Sequence, residues 1–372
     1  MAAAPVGLAL ADELNGIPKY RIVSDQKGTP GLGMPGPFPG RVVSVKSAKV
    51  ISQPGDKIDS GIVREMMARG ICSLTGEKTP EAAWKRFFEP SDIVAIKVNC
   101  GGIPHVISSP EVVAECVRNL GLAGIKPTQI YVYERFHDQL RLAHYPKYLP
   151  GGVNIFAAET SNKNTERQSY DPGIYADVDF FGEEDTRSNL MNLISKTVTK
   201  VINIPTIKDH GATGATGCLK NIAYGSFSNV ARSHSNGLTH TYSFVGTLAA
   251  IEPLRTKTVL QIMDGIKGVW HGGPFAATRR FMFYPKQILM GTDPVAIDRT
   301  LLDIVDAERK AHGAISIWNR SKKTLNSVNH GNWTINPNVN VFIREPGHVA
   351  YAGKLGLGVS DLKLIQHTSL VI

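Results

Sequence analysis

The run Ile93-Val-Ala-Ile-Lys-Val98 is apolar at nearly every position rather than at alternate ones. A strand that alternates is covered on one face, whereas a strand without a polar face is covered on both. This run therefore asks for a sheet with helices above and below it, which points to parallel strands joined by crossovers. The neighbouring sequence follows the same pattern. Arg41-Val-Val-Ser-Val-Lys-Ser47 reads as a strand by alternation and β-branching. Asp59 or Ser60 caps a helix whose Ile62, Val63, Met66, Met67 and Ile71 share one face, and Gly76 stops it. Thr79-Pro80 opens a second helix and Ser109-Pro110-Glu111 a third, each with proline at the first helical position. Further strands are expected at Gln129–Tyr133, Val153–Phe156, Lys200–Ile204, Val259–Met263, Gln287–Met290 and Val339–Ile343. Further helices are expected over Pro294–Lys310 and Gly347–Leu355. The expected fold is α/β, a mainly parallel sheet with helices on both faces.

Two segments stand outside that pattern. Lys27–Gly40 is dense in Gly and Pro and reads as an N-terminal arm or loop before the first core strand. Ser161–Asn189 is polar and irregular and reads as an excursion from the sheet. The expected organisation is an arm over residues 1–40 and an α/β domain over 41–372, with a division into two packed lobes left open.

Bulk properties narrow the partners. The formal net charge is +9, which admits nucleic acid, an anionic surface or an acidic small substrate. The basic clusters Arg279-Arg280, Arg309-Lys310 and Arg320-Ser-Lys-Lys323 are short and lack interleaved aromatics, so no nucleic-acid partner is expected. A small anionic ligand stays open, as does a homo-oligomer clasped by the arm. Cys72, Cys100, Cys116 and Cys218 form no Cys-x-x-Cys pair, so no iron–sulfur cluster is expected; Cys218, in a Gly-rich stretch, is the one candidate for reactivity. No stretch is long and apolar enough for a transmembrane segment. The small apolar start Met1–Ala11 lacks a basic region; it fits a trimmed export signal, hence a periplasmic protein, or a native terminus, hence a cytoplasmic one.

In open parallel sheets, ligands bind beyond the carboxyl ends of the strands. Asn99 follows one expected strand end, Glu134 and Arg135 another, and Asp264 a third. The densest stretch follows Lys200–Ile204: Lys208-Asp-His-Gly-Ala-Thr-Gly-Ala-Thr-Gly-Cys-Leu-Lys-Asn221. Its glycines allow close backbone approach, and successive N–H groups could cradle an oxyanion; a plain tight turn is the alternative. It is neither a Walker motif nor a dinucleotide fingerprint. Lys208 and Lys220 flank it and suit anion binding or, if burial lowers their pKa, base catalysis. His210, His234 and His240 suit a divalent metal or acid–base work. The expected catalytic set is Lys208, His210, Lys220 and Asp264. The expected substrate contacts are Asn99, Gly211, Thr213, Gly214, Thr216, Gly217 and Asn221, and the expected metal ligands are His210, His234 and His240. Asp293 and Asp298, in Gly291-Thr-Asp-Pro-Val-Ala-Ile-Asp298, read more simply as helix-start carboxylates.

In chain order, Ile96-Lys-Val-Asn99, Ser108-Ser-Pro-Glu-Val-Val113, Lys208-Asp-His210, Gly217-Cys-Leu-Lys-Asn221, Gly291–Asp298, Pro346-Gly-His-Val-Ala350 and Gly356-Leu-Gly358 resemble the domain-of-unknown-function 362 family. The resemblance covers about residues 41 to 365. It implies no assigned activity. Many relatives carry a ferredoxin-like cluster module, absent from this sequence, and many leave the cell by the twin-arginine route. The family is also distantly similar to nickel-pincer lactate racemases, whose sites use Lys and His around a bound cofactor; that is an analogy of fold. The expected function is a metal- or Lys/His-dependent enzyme acting on a small carboxylate or phosphate. The alternatives are a non-catalytic redox-accessory or binding protein, and an assembly protein using its arm.

Overall fold

The computed structural model describes residues 16–28, 31–52, 55–160, 167–237, 239–276, 278–319, 336–337 and 346–372. Its centre is a large, mostly parallel sheet. From edge to edge the strands are Gln366–Val371, Arg41–Lys46, Gln287–Gly291, Thr258–Val269, Lys200–Asn203, Val94–Lys97, Ile130–Phe136 and Asn154–Glu159. All run in one direction except Gln287–Gly291, which is antiparallel to both neighbours. Val94–Lys97 is buried along its whole length, as its apolar run requires.

The two faces of the sheet are covered by different helices. Val63, Met66 and Met67 of the helix Ser60–Thr75, Ala83 and Trp84 of Pro80–Lys85, and Val112, Val113 and Cys116 of Pro110–Leu122 pack with Val94 and Ile96. On the other face, Ala95 and Val201 share a core with the helices Gly217–Tyr224, Thr241–Ala249, Pro294–Ala311 and Gly347–Lys354. The helix boundaries follow local chemistry. Asp59 caps the first helix through the N–H groups of Gly61 and Ile62, and Gly76 ends it in the left-handed region at φ 79°. Asp293 caps Pro294–Ala311 through the Ala296 N–H at 2.8 Å, which is the simpler of its two readings.

Several expectations change. Ser161–Asn189 does leave the main sheet, but it is not irregular where described. Tyr170–Asp177 and Arg187–Met191 form a separate antiparallel sheet with Arg21–Val23. Within Lys27–Gly40, residues 31–40 lie against the body: Met34 is buried, its N–H bonds Arg255 O, and the Gly40 N–H bonds Asp293 Oδ2 at 2.8 Å. The strand expected at Val339–Ile343 lies outside the described residues. Of the described elements that the sequence does not announce, two have plain physical reasons. Thr241–Ala249 is buried on every side, so it shows no helical stripe. Gln366–Val371 is largely exposed and polar, so it shows no strand alternation.

Candidate functional site

A cavity of about 430 Å³ opens beyond the carboxyl ends of Val94–Lys97 and Ile130–Phe136, where the rule for parallel sheets puts a ligand. The strand Thr206–His210 continues the line of Lys200–Asn203 alongside Thr258–Val269 and brings Lys208 and His210 into the wall. The chain then turns in a hairpin, with Asp209 and His210 paired to Ala215 and Gly214, and enters the helix Gly217–Tyr224. That helix contributes Lys220, Asn221 and Tyr224 to the wall.

The polar groups of the wall fall into two kinds. Lys97 is fully engaged. Its Nζ donates to Glu134 Oε1 at 2.7 Å, to Asn221 Oδ1 at 3.3 Å and to the Val98 carbonyl. Glu134 also accepts from the N–H groups of Cys100 at 2.9 Å and Arg135 at 2.7 Å. Asn221 passes the network on to Asn203 at 2.7 Å, and Asn203 to Gln261 at 2.7 Å. This buried ion pair is therefore a scaffold with its hydrogen-bonding capacity used internally.

Lys208 and Lys220 are different. Lys208 is fully buried and donates to Asn99 Oδ1. Burial pulls its pKa down to about 7, against the opposing pull of Glu134. Lys220 lies over the Tyr224 ring, 4.5 Å from its centroid. Burial and then the charges of Lys208 and Arg135 bring it to about 7 as well. Among the described residues neither lysine forms an ion pair.

The two cavity histidines have fixed and opposite senses. His210 Nδ1 accepts from the N–H groups of Ala212 at 3.1 Å and Thr213 at 3.3 Å. Its proton therefore sits on Nε2, which makes that nitrogen a donor. His234 stands with its ring centroid 5.4 Å from that of His210. Its Nδ1 faces the Ala231 carbonyl at 3.2 Å, so Nε2 carries the lone pair. Burial and then Lys220 push its pKa down to about 3, so the ring is neutral.

Of the expected site residues, Lys208, His210, Lys220, His234, Asn99, Gly211, Thr216 and Asn221 line this one cavity. Thr213, Gly214 and Gly217 do not. Thr213 Oγ1 bonds the Ala215 carbonyl at 2.7 Å, while Gly214 and Gly217 take positive φ to form the hairpin and the helix start. Five N–H groups of the expected oxyanion cradle are engaged inside the fold. The N–H groups of Ala212 and Thr213 go to His210, that of Thr216 to Lys208 O, and those of Cys218 and Leu219 to Asp298 at 2.5 and 2.9 Å. The glycines position side chains, and the lysines supply the positive charge.

Asp264 is not in the cavity. Its strand runs on to Val269, so Asp264 sits mid-strand and not at a strand end. Its carboxylate accepts the Ser109 N–H at 2.7 Å and the Ile266 N–H at 3.1 Å, in front of the helix Pro110–Leu122. His240 is also elsewhere, stacked on Phe180 with 4.7 Å between centroids. The shared three-histidine metal site is thereby lost. Among the described residues no group of three or more His, Cys, Asp or Glu side chains gathers as a metal ion would need, and of the two cavity imidazoles only His234 offers a bare nitrogen. Cys218 is buried outside the cavity, its thiol pushed well up by burial and by Asp298.

Lys97 and Glu134 were missed as a working pair. The signal was the lysine inside an otherwise apolar strand run, a position where a charge needs a buried partner.

Comparison with known families adds one match: the family described as Domain of unknown function (DUF362) aligns over residues 94–303. That span holds every residue of the cavity wall named above. No curated protein matches the sequence.

Proposed function

This chain belongs to the DUF362 family, and we propose that its cavity is the active site of an enzyme acting on a small carboxylate or phosphate through lysine and histidine chemistry. One observation carries the reading: two lysines line one cavity without a carboxylate partner of their own, Lys208 fully buried and Lys220 partly so, and burial holds the pKa of each near 7. Burying cations beside each other costs stability, and a folded protein retains such an arrangement at a site that a negative ligand completes. The anion restores the charge on one lysine. The other, near neutrality, is able to take a proton from the substrate. His210, its ring fixed by two backbone N–H groups at Nδ1, stands beside the lysines in the same wall as a candidate for moving a proton. Asn99 holds Lys208 in place.

The test is titration calorimetry with inorganic phosphate and with short-chain carboxylates on either side of pH 7. An anion favours the protonated lysines, so binding takes up a proton, and affinity falls as pH rises above about 7. Lys208→Met and Lys220→Met each cost about 2 kcal/mol of binding or more. Affinity that ignores pH, or that survives both substitutions, would falsify the reading. Loss of binding on chelation of divalent ions would move the chemistry to a metal, and binding without turnover of any anion would favour a binding protein.

A further inference from the structure

The cavity is larger than its anion site. Two lysines meet one acidic group, whereas about 430 Å³ is the size of pocket that encloses a whole organic molecule. The rest of the wall decides what that molecule carries.

Most of the surface that the wall presents is carbon. Phe136, Tyr224, Val230, Ala231, Pro274 and Phe275 all take part in it. The Tyr224 hydroxyl bonds Ser233 Oγ at 2.7 Å, and Ser233 is no part of the wall, so the ring is what Tyr224 offers the cavity. Phe275 is 60% exposed. A lone exposed phenylalanine needs no explanation on an open surface, but this one stands in the wall of a carbon-lined cavity, where the body of a ligand would cover it.

The polar side chains of the wall are mostly committed to one another. Lys97, Glu134 and Asn221 form the internal network. Arg135 pairs with Glu159 and lies over the Phe136 ring, 4.8 Å from its centroid. Asn99 accepts from Lys208 and donates to Asn221 at 3.0 Å. Beyond Lys208, Lys220 and the imidazoles, the Gln139 amide and the buried Thr216 hydroxyl are the side-chain polar groups left over among the described residues. They suit one polar substituent. A body with a hydroxyl on every carbon would lose its water there without gaining partners.

We propose that the substrate is an acid with an apolar body: its acidic group meets Lys208 and Lys220, and its hydrocarbon chain or ring lies against Phe136, Tyr224 and Phe275. This rests on the anion-binding reading of the cavity and adds what the anion is attached to.

The experiment is calorimetry on the full chain below pH 7, where both lysines are charged. It compares phosphate, acetate, hexanoate, phenylpropanoate, gluconate and hexanol. Hexanoate is expected to bind roughly tenfold to a hundredfold tighter than acetate, the gain from covering its added methylenes. Gluconate has the same carboxylate and the same carbon count but is hydroxylated throughout, and it should not exceed acetate. Phenylpropanoate sets a ring against the chain; either one exceeding acetate supports the proposal, and the tighter of the two names the body. Phe275→Ala removes an exposed side chain and spares the core. It should reduce the preference for hexanoate and phenylpropanoate over acetate by about threefold to tenfold. Gluconate matching hexanoate, or a preference untouched by Phe275→Ala, overturns the apolar body and leaves the anion site standing, with phosphate and acetate still bound. Hexanol matching hexanoate, or no binding by any of the acids, overturns the anion reading as well.

Discussion

At the scale of single residues, the cavity rests on close approaches that leave no room for a methyl group. Gly225 ends the helix that carries Lys220, and a Cβ there would stand 2.0 Å from Lys97 Cε and 2.5 Å from Lys97 Nζ. Lys97 cannot retreat freely, because its ammonium is tied to Glu134, Asn221 and the Val98 carbonyl. Gly225→Ala is therefore expected to cost about 1–3 kcal/mol, the usual range for overpacking, read as a lower denaturant midpoint. It also disturbs the Asn221 amide that braces Asn99, 3.0 Å away, and so weakens anion binding. Unchanged stability would mean that the Lys97 network has slack. The same comparison explains why the three cavity lysines differ in role. Lys97 is surrounded by acceptors and holds the wall together, whereas Lys208 and Lys220 keep capacity for a ligand.

At the scale of elements, the helix Gly217–Tyr224 is positioned by a carboxylate from another helix. Asp298, in Pro294–Ala311, accepts the N–H groups of Cys218 and Leu219. Gly217 has no side chain because Asp298 fills that space; a Cβ would lie 2.4 Å from its Oδ1. Burial lifts the Asp298 pKa to about 7, and either protonation form can accept the two bonds. Asp298→Ala leaves both N–H groups unsatisfied and is expected to cost about 1–2 kcal/mol, as for a lost helix cap. Because Lys220, Asn221 and Tyr224 ride on this helix, the same variant weakens phosphate binding without touching the cavity, and Asp298→Asn recovers part of it. Thermal unfolding paired with calorimetry checks both. Wild-type phosphate affinity in Asp298→Ala would show that the helix is held by packing alone.

At the scale of the whole molecule, the lysines tie stability to pH. In the folded chain Lys208 and Lys220 lose their protons near pH 7, while the unfolded chain keeps them to about 10.5. Between those values the unfolded state binds more protons, so the lysines' contribution to stability rises with pH and is complete above the upper value. Below pH 7 both states are protonated and the full penalty of buried charge applies. The double substitution Lys208→Met, Lys220→Met should flatten this rise, measured as the difference in unfolding free energy between the two proteins across that window. A difference that does not vary with pH would place both lysines in water-like surroundings.

Legible along the chain were the α/β class, strands at Ile93–Val98, Gln129–Tyr133 and Lys200–Ile204, a helix start at Asp59 or Ser60 and another at Asp293, and the region in which Lys208, His210, Lys220 and Asn221 gather. These follow from periodicity, capping chemistry and the strand-end rule, which act over a few residues and can be read along the chain. Which polar atoms remain available to a ligand depends on packing between distant parts of the chain. Asp264 and His240 looked as able as Glu134 and His234. The difference is that Asp264 meets the start of a helix from 155 residues away and His240 meets Phe180, whereas Glu134 and His234 meet the cavity. The Gly-rich stretch likewise reads as a cradle, but five of its N–H groups are taken inside the fold, two of them by a carboxylate about eighty residues along the chain. A hydrogen bond satisfies its donor whatever the sequence separation, so the inventory of free groups that makes a site is a property of the packed molecule.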